Sequence, residues 1–410
     1  MKYLISGGGT GGHIFPAVSI ANALKLLDEQ AEILFVGALG RMEMERVPQA
    51  GYKIIGLPVQ GLNRQQPWKN LRVVWNFVRS MRMARGIIRD FKPDVAVGVG
   101  GYASAAAMKQ AARMGVPVLL QEQNGFAGVT NKFLKNDAKL ICVAYEGMER
   151  FFPKEKIVLT GNPVRRDLLT ATREQAVEYF RKEFGFDLSG ASLSTPQDAS
   201  APRKTVLVIG GSLGARTINE AIQSALNPSN SSLNLIWQTG KNYYDNIISS
   251  LSQADKRIEL FRGSVPPAHG ARGGGAPFGT AAFEGQTFAL ITPFLGRMDL
   301  AYAAADIVIS RAGASSISEL CLLGKPAILV PSPNVAEDHQ THNAMALVNK
   351  DAAILVKDAD ARETLMPTLL NLASDERRCE ELSRNILKLA KPDAATDIAK
   401  LVIDLAKNRA

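Results

Sequence analysis

Short apolar runs alternate with longer stretches of helical periodicity from one end of this chain to the other. Tyr3-Leu4-Ile5 precedes an amphipathic stretch from Val18 to Leu27, and TVLVI at 205–209 precedes a helical stretch to Ala225. Later in each half, an aspartate and an apolar-rich run reach a glycine and serine turn that opens a helix: DVAVGVGGYASAA at 94–106 and DIVISRAGASSISEL at 306–320. Uninterrupted apolar runs of this length suit strands buried on both faces, and their alternation with helices predicts parallel sheets built of βαβ units. The order occurs twice. It predicts an α/β protein of two Rossmann-like, doubly wound parallel-sheet domains facing an interdomain cleft.

The predicted boundary follows the strand KIVLT, at GNPVR, so that residues 1–165 form the first domain and 166–392 the second. Residues 393–410 carry helical periodicity with no strand after them and are expected to pack back on the first domain. Two segments, 189–203 and 267–286, are rich in Gly, Ala, Ser and Pro and are expected to form mobile surface loops.

Residues 70–89 (NLRVVWNFVRSMRMARGIIR) read as a long helix. On a helical wheel Val73, Val74, Phe77, Val78, Met81, Ala84, Ile87 and Ile88 cover one half, which is expected to face the core. Arg72, Arg79, Arg82 and Arg89 fall on the other half with Trp75 among them, and Trp68 is in line if the helix starts that early. Arginines suit any solvated face, but a tryptophan between them is the composition of a surface resting at lipid headgroups. Charge separates the halves in the same way. Of the net +9, residues 1–165 hold 22 Lys and Arg against 12 Asp and Glu, while the rest holds 26 against 27. The first half is therefore expected to meet an anionic membrane surface. No nucleic-acid recognition motif accompanies the basic face, so nucleic acid is not an expected partner. No apolar run reaches the roughly 18 residues of a membrane span, the N-terminus lacks a signal peptide's apolar region, and the three cysteines have no metal or redox spacing. A cytoplasmic location is expected.

The candidate chemistry begins at 7–16, GGGTGGHIFP, where the first strand turns into the first helix. Glycines let backbone N–H groups approach a diphosphate, and the helix adds its positive end. His13 would stand beside that anion with an unperturbed pKa of about 6.5, suited to proton transfer. The loop departs from the dinucleotide fingerprint, because Gly37 stands at the second strand's end where a ribose-binding acid belongs. In the second half, SRAGASSISEL places Ser315, Ser316 and Ser318 at a helix start, as capping serines or as ligand contacts. It puts Glu319 where a carboxylate could accept both hydroxyls of a ribose. EDHQTHNA sets Gln340 and Asn343 on one helical face, and QEQNG puts Glu122 and Asn124 at a strand's C-terminal end. Asp358-Ala359-Asp360 looks like a metal-holding acid pair, but Asp360 and Glu363 are read as a capping box and no metal is assigned.

Taken in order, GGGTGGHIFPA, GVGGYAS, QEQNGFAG, GNPVR, GGSLGAR, SRAGASSISEL and DHQTHNA closely resemble the MurG family of bacterial UDP-N-acetylglucosamine–lipid I N-acetylglucosaminyltransferases. The likeness spans nearly the whole chain. It implies the GT-B fold and transfer of GlcNAc from UDP-GlcNAc to the 4-hydroxyl of MurNAc in undecaprenyl-diphosphate-MurNAc-pentapeptide. The transfer would proceed with inversion, with no cofactor and no obligatory metal, in peptidoglycan synthesis. It also implies a peripheral place on the cytoplasmic face of the plasma membrane, with the cell-wall synthesis machinery as a possible partner. By motif, it places Thr10, Gly11 and Gly12 against the sugar and diphosphates, and Asn124 on GlcNAc hydroxyls. Arg165 and Ser212 fall on the UDP side with Ser315 and Ser316, Glu319 on the ribose, the backbone at Leu295 on uracil and Gln340 on GlcNAc. Gly9, Tyr102 and Asn343 fall to the acceptor. His13 is the expected general base, with an orienting role as its alternative and Glu122 in reserve. A UDP-GlcNAc 2-epimerase and a diacylglycerol glycosyltransferase of the same fold are the rival enzymes, and an inert membrane-recruiting subunit is the rival outside enzymes.

Overall fold

A computed structural model describes residues 1–59, 70–188, 203–211, 213–226, 233–254, 258–265, 276–283 and 286–408. The chain divides into two compact units, Met1–Arg165 with Lys391–Ala410, and Arg166–Ala390.

The first unit has one seven-stranded parallel sheet. Its strands are β1 (Lys2–Gly7), β2 (Glu32–Ala38), β3 (Lys53–Leu57), β4 (Val95–Gly100), β5 (Val118–Glu122), β6 (Leu140–Val143) and β7 (Ile157–Leu159), in the order β3-β2-β1-β4-β5-β6-β7. Alternation along each strand divides the core in two. Leu4, Val36, Ala96 and Leu120 face the side covered by α3 (Asn70–Phe91), α4 (Tyr102–Arg113) and α5 (Val129–Leu134). Tyr3, Ile5, Phe35 and Val97 face the other side, against α1 (Gly11–Leu27) and α14 (Ala394–Lys407). Ile398, Ala399 and Val402 of α14 are buried in that second cluster, so the chain's last helix closes the first unit.

The second unit contains α6 (Arg173–Phe184), β8 (Thr205–Ile209), α7 (Arg216–Ala225), β9 (Asn234–Gln238), α8 (Tyr244–Ala254), β10 (Ile258–Val265), β11 (Ala276–Phe283) and β12 (Gln286–Thr292). It continues with α9 (Met298–Ala304), β13 (Ile307–Ser310), α10 (Ala314–Leu323), β14 (Ala327–Leu329), α11 (His339–Val348), β15 (Ile354–Leu355), α12 (Ala361–Ser374) and α13 (Glu376–Leu387). Its sheet order is β10-β11-β12-β9-β8-β13-β14-β15. β9-β8-β13-β14-β15 and β12 run parallel, while β10, β11 and β12 pair antiparallel.

Three readings of local structure need correction. Residues 276–283 are not a loop: they form β11, paired along its length with β10 from Val265↔Ala276 to Ile258↔Phe283, and Gln286 opens β12. Small residues suit this strand because its register is set by its neighbours, and Phe278 packs edge-on against Phe184 of α6, 5.0 Å between centroids. Residues 189–202, 266–275 and 284–285 lie outside the described residues. On α3 the core face is rotated from the apolar arc. Asn76 and Ser80 are buried, whereas Val74 and Val78 are exposed. The capping box at Asp360 does not form, since Asp360 stands at the N-cap of α12 without a side-chain capping bond. A capping box does occur at Thr172 and Gln175, opening α6.

Docking of α14 should contribute strongly to the first unit. Ile398→Ala removes a fully buried side chain and is expected to cost about 2–5 kcal/mol, read as a lower denaturation midpoint of that unit in urea.

Candidate functional site

In a parallel sheet the order reverses at one place, and the loops leaving the two strands there diverge to leave room for a ligand. In the first unit that place is between β1 and β4. The β1–α1 loop is pressed onto the β4–α4 turn: the Gly8 N–H donates to the Gly100 carbonyl at 3.3 Å, and a β-carbon on Gly101 (φ 89°) would lie 3.1 Å from Gly8 N. Gly100 (φ 97°) lets the His13 imidazole lie against the backbone, where a β-carbon would come within 2.8 Å of Nε2. Thr10 is the N-cap of α1, yet its hydroxyl makes no backbone capping bond and instead lies 3.2 Å from His13 Nδ1. For Nε2 to accept a proton, Nδ1 must carry the hydrogen and donate it to Thr10 Oγ1. Gly12 and Tyr102 are exposed at this edge, and Gly11 is half-buried.

Two expectations for this unit change. The Gly9 N–H is not presented to an acceptor ligand, because it donates to Glu43 Oε2 at 2.9 Å. Glu122 is not a free base. Its carboxylate is buried and takes N–H groups on both oxygens: Asn124 N at 3.2 Å on Oε1, and Gly128 N and Asn131 Nδ2, each at 2.9 Å, on Oε2. Burial pushes its pKa up while these donors pull it back, the net direction being up. Glu122 is thus the brace of the loop carrying Asn124, which is half-buried at the sheet edge. Gln121, Gln123 and Asn162 fasten the same edge: Gln121 Nε2 donates to Asn162 Oδ1 at 3.0 Å, and Asn162 Nδ2 donates to the Gln123 carbonyl at 3.0 Å. Arg165 is exposed at the end of this unit.

In the second unit the order reverses between β8 and β13. Ser212, expected near the phosphates, lies outside the described residues. Around it Gly211 and Gly214 both have φ of 83°, and Gly214 meets Gly240 (φ 84°) so closely that neither could carry a side chain. Gln238 ties these turns together, with Nε2 donating to the Gly211 carbonyl at 3.2 Å and Oε1 accepting the Leu295 N–H at 2.9 Å. The Leu295 N–H is therefore bonded to Gln238, beside the backbone expected to meet uracil. Glu319 accepts the Tyr302 hydroxyl at 2.8 Å. Burial, then the neighbouring Glu319 charge, hold the Tyr302 phenol well above its usual range, so it stays a donor and fixes the carboxylate. Ser315 Oγ is buried with no partner among the described residues, and Ser316 is half-buried beside it.

Gln340 Oε1 accepts the Ser332 N–H at 2.9 Å. Glu337 and Asp338, at φ 57° and 48°, hold the turn into α11 in the left-handed region, at a cost of about 1–3 kcal/mol each. Asn343, expected on the acceptor, is fully buried and donates from Nδ2 to the Ala312 carbonyl at 3.3 Å. Asp358 is committed to Arg311 through an ion pair and accepts Thr217 Oγ1 at 3.0 Å. No cluster of His, Cys, Asp and Glu suited to a metal occurs among the described residues.

Sequence reading missed Glu43, Gln238, Tyr302 and Arg311, whose roles arise from contacts distant in the chain. Arg311 alone had a signal, ending an apolar strand beside a glycine turn.

On α3, Trp75 and Val74 are 62% and 57% exposed, and the Arg79 guanidinium lies 5.7 Å from the Trp75 ring centroid. Arg82 is also exposed. Phe77 reaches Phe133 of α5, 6.4 Å between centroids, and Phe133 is itself half exposed. Trp68 and the side chain of Arg72 lie outside the described residues. Among the described residues no helix is long and apolar enough to cross a membrane.

Two predictions separate bracing from chemistry. Glu122→Gln turns an NH2 toward a backbone or Asn131 N–H and should lower stability by about 1–3 kcal/mol, leaving the pH profile of turnover unchanged. Tyr302→Phe removes one donor from Glu319 and, if that carboxylate holds the ribose as expected, should weaken UDP binding roughly fivefold by calorimetry, the equivalent of about 1 kcal/mol.

The glycosyltransferase family 28 N-terminal domain matches residues 3–143, and the glycosyltransferase family 28 C-terminal domain matches 205–262 and 276–398. A Bacteroides fragilis protein named UDP-N-acetylglucosamine--N-acetylmuramyl-(pentapeptide) pyrophosphoryl-undecaprenol N-acetylglucosamine transferase is 53% identical over 99% of this chain and 96% of its own. The crystal structure of Acinetobacter baumannii MurG matches with a TM-score of 0.68 at 24% identity, covering 98% of this chain and 100% of that one. A UDP-GlcNAc 2-epimerase from Neisseria meningitidis, bound to UDP-GlcNAc, matches at 0.63 and 14%, covering 98% and 100%. The two structures share the fold alone, the GT-B arrangement of two parallel-sheet α/β units. With that architecture, both family domains and relatives at half identity along its whole length, the chain belongs to glycosyltransferase family 28.

Proposed function

We propose that this enzyme moves GlcNAc from UDP-GlcNAc to the 4-hydroxyl of MurNAc in undecaprenyl-diphosphate-linked MurNAc-pentapeptide, forming lipid II. The observation that carries the reading is 53% identity, over 99% of the chain, to a protein bearing that activity in its name. The site supports it. Glu319, held by Tyr302, offers a fixed acceptor to a ribose diol, and Gln340 keeps its amide NH2 for a sugar. The unpartnered Ser315 hydroxyl at the start of α10 supports a polar ligand there. Ser212 and Arg165 belong to the UDP side of this reading, and Asn124 and Thr10 to the transferring sugar.

The chemistry is one displacement. The acceptor oxygen attacks the anomeric carbon, its proton passes to His13 Nε2, and the bond to the UDP oxygen breaks on the opposite face, inverting the centre. Amides at the α1 N-terminus, at Gly11 and Gly12, and the Arg165 guanidinium offset charge on the diphosphates. The reading needs no cofactor and no catalytic metal, and the Asp358 carboxylate is committed to Arg311 and Thr217. The exposed Val74, Trp75, Val78, Arg79 and Arg82 face of α3 rests on the anionic cytoplasmic face of the plasma membrane, where the lipid-linked acceptor resides. The epimerase rival has no use for that face.

Incubation with labelled UDP-GlcNAc and a lipid I analogue should give a labelled disaccharide lipid, and His13→Ala should slow it about 100-fold or more. Absence of transfer to that acceptor, with transfer to diacylglycerol or release of a 2-epimer, would overturn the reading. Replacing Trp75, Arg79 and Arg82 together should remove most binding to anionic vesicles, and unaltered binding would make α3 a merely solvated face.

A further inference from the structure

The β2 strand ends at Gly37-Ala38, where a dinucleotide-binding unit would carry its ribose acid. The place is filled from elsewhere. Glu43, the first residue of α2 (Glu43–Gln49), is fully buried and lays its side chain across Gly37 and Gly8. A β-carbon on Gly37 would lie 2.7 Å from Glu43 Cγ, and one on Gly8 would run into the carboxylate. Oε1 accepts the Ala38 N–H at 3.0 Å, and Oε2 accepts the Gly9 N–H at 2.9 Å. No ion pair to Glu43 is present among the described residues.

The two hydrogen bonds differ in kind. The one to Ala38 is local and would serve as an ordinary turn contact. The one to Gly9 reaches across 34 positions of sequence and ties the β2–α2 turn to the glycine loop. Gly9, at φ 88°, is followed directly by Thr10, whose hydroxyl meets His13 Nδ1. On its other side the loop is fastened by the Gly8 N–H to the Gly100 carbonyl. A buried carboxylate without a cation is costly, and this one is met by two backbone amides, Gly9 N–H and Ala38 N–H.

We infer that Glu43 is the positioning residue of the glycine loop: its carboxylate holds Gly9, and through Gly9 and Thr10 it sets where the His13 imidazole stands. It touches no substrate. The inference rests on the role proposed for His13.

Glu43→Gln keeps the shape of the side chain but replaces one acceptor oxygen by an NH2, which faces either Gly9 N–H or Ala38 N–H. In the full chain we expect kcat to fall at least tenfold while the UDP dissociation constant stays within twofold, since Glu43 touches none of the residues placed on UDP, which apart from Arg165 belong to the second unit. In a His13→Ala background the same change should cost nothing further, because both act on one group. A kcat within twofold of wild type, or the same tenfold factor in the His13→Ala background, would overturn the inference. Hydrogen exchange of Gly9 in the unaltered protein decides the matter if the variant does not fold: slow exchange supports the tie to Glu43, and exchange at the rate of a solvated loop contradicts it. If His13→Ala alone keeps full turnover, the role of His13 falls, and Gly9 exchange still decides that of Glu43.

Discussion

Strands buried on both faces have nothing to offer a ligand except the loops at their ends, and that constraint governs both units. Where the strand order reverses, two loops leave the sheet beside each other, and their backbones must pass within contact distance. Glycine is what permits it. Gly8 lies on Gly101 in the first unit, and Gly214 on Gly240 in the second, each pair too close for any side chain. The glycines read in the sequence as phosphate cradles are thus also packing requirements of the fold. Function is confined to what these crowded loops can still present outward: a threonine, a histidine, a few helix-terminal amides and a small set of polar side chains.

Carboxylates are the means by which the loops are held. Glu43 ties the first glycine loop, Glu122 the turn after β5, and Asp358 the end of β13 through Arg311. A buried carboxylate is tolerated only when its oxygens are occupied, so each such group imposes one arrangement on the N–H groups around it. Glu319 accepts the Tyr302 hydroxyl, and this half-buried residue is the acid that the proposed function gives to the nucleotide. Acids that look alike in sequence therefore differ in setting: Glu43 and Glu122 are fully buried on backbone N–H groups, whereas Asp358 and Glu319 are half-buried, on Arg311 and Tyr302.

The parts legible in the sequence are those that depend on local pattern. Apolar runs marked the strands, the glycine turns marked the sheet edges, and Gly37 in place of an acid argued against a dinucleotide site. What escaped depends on distant contacts. Glu43 sits in RMEMERVP, which reads as a solvated helix face, and nothing local says that its side chain reaches Gly9. Asn343 shares a helical face with Gln340, but that face turns inward at Asn343. On α3 the apolar arc is wider than the buried arc, so Val74 and Val78, expected in the core, join Trp75 outside. Residues 276–283 have a loop's composition and become a strand through pairing with β10.

The proposed function divides the labour between the units: Arg165 apart, it gives the nucleotide to the loops of the second, and it gives the acceptor diphosphate and the transferring sugar to the glycine loop of the first. Hydrogen exchange of the full chain with saturating UDP alone tests it most directly. Slowed exchange is expected in 311–320 and 332–340, with 7–16 unchanged. Protection of 7–16 by UDP, with none in 311–320, would contradict it.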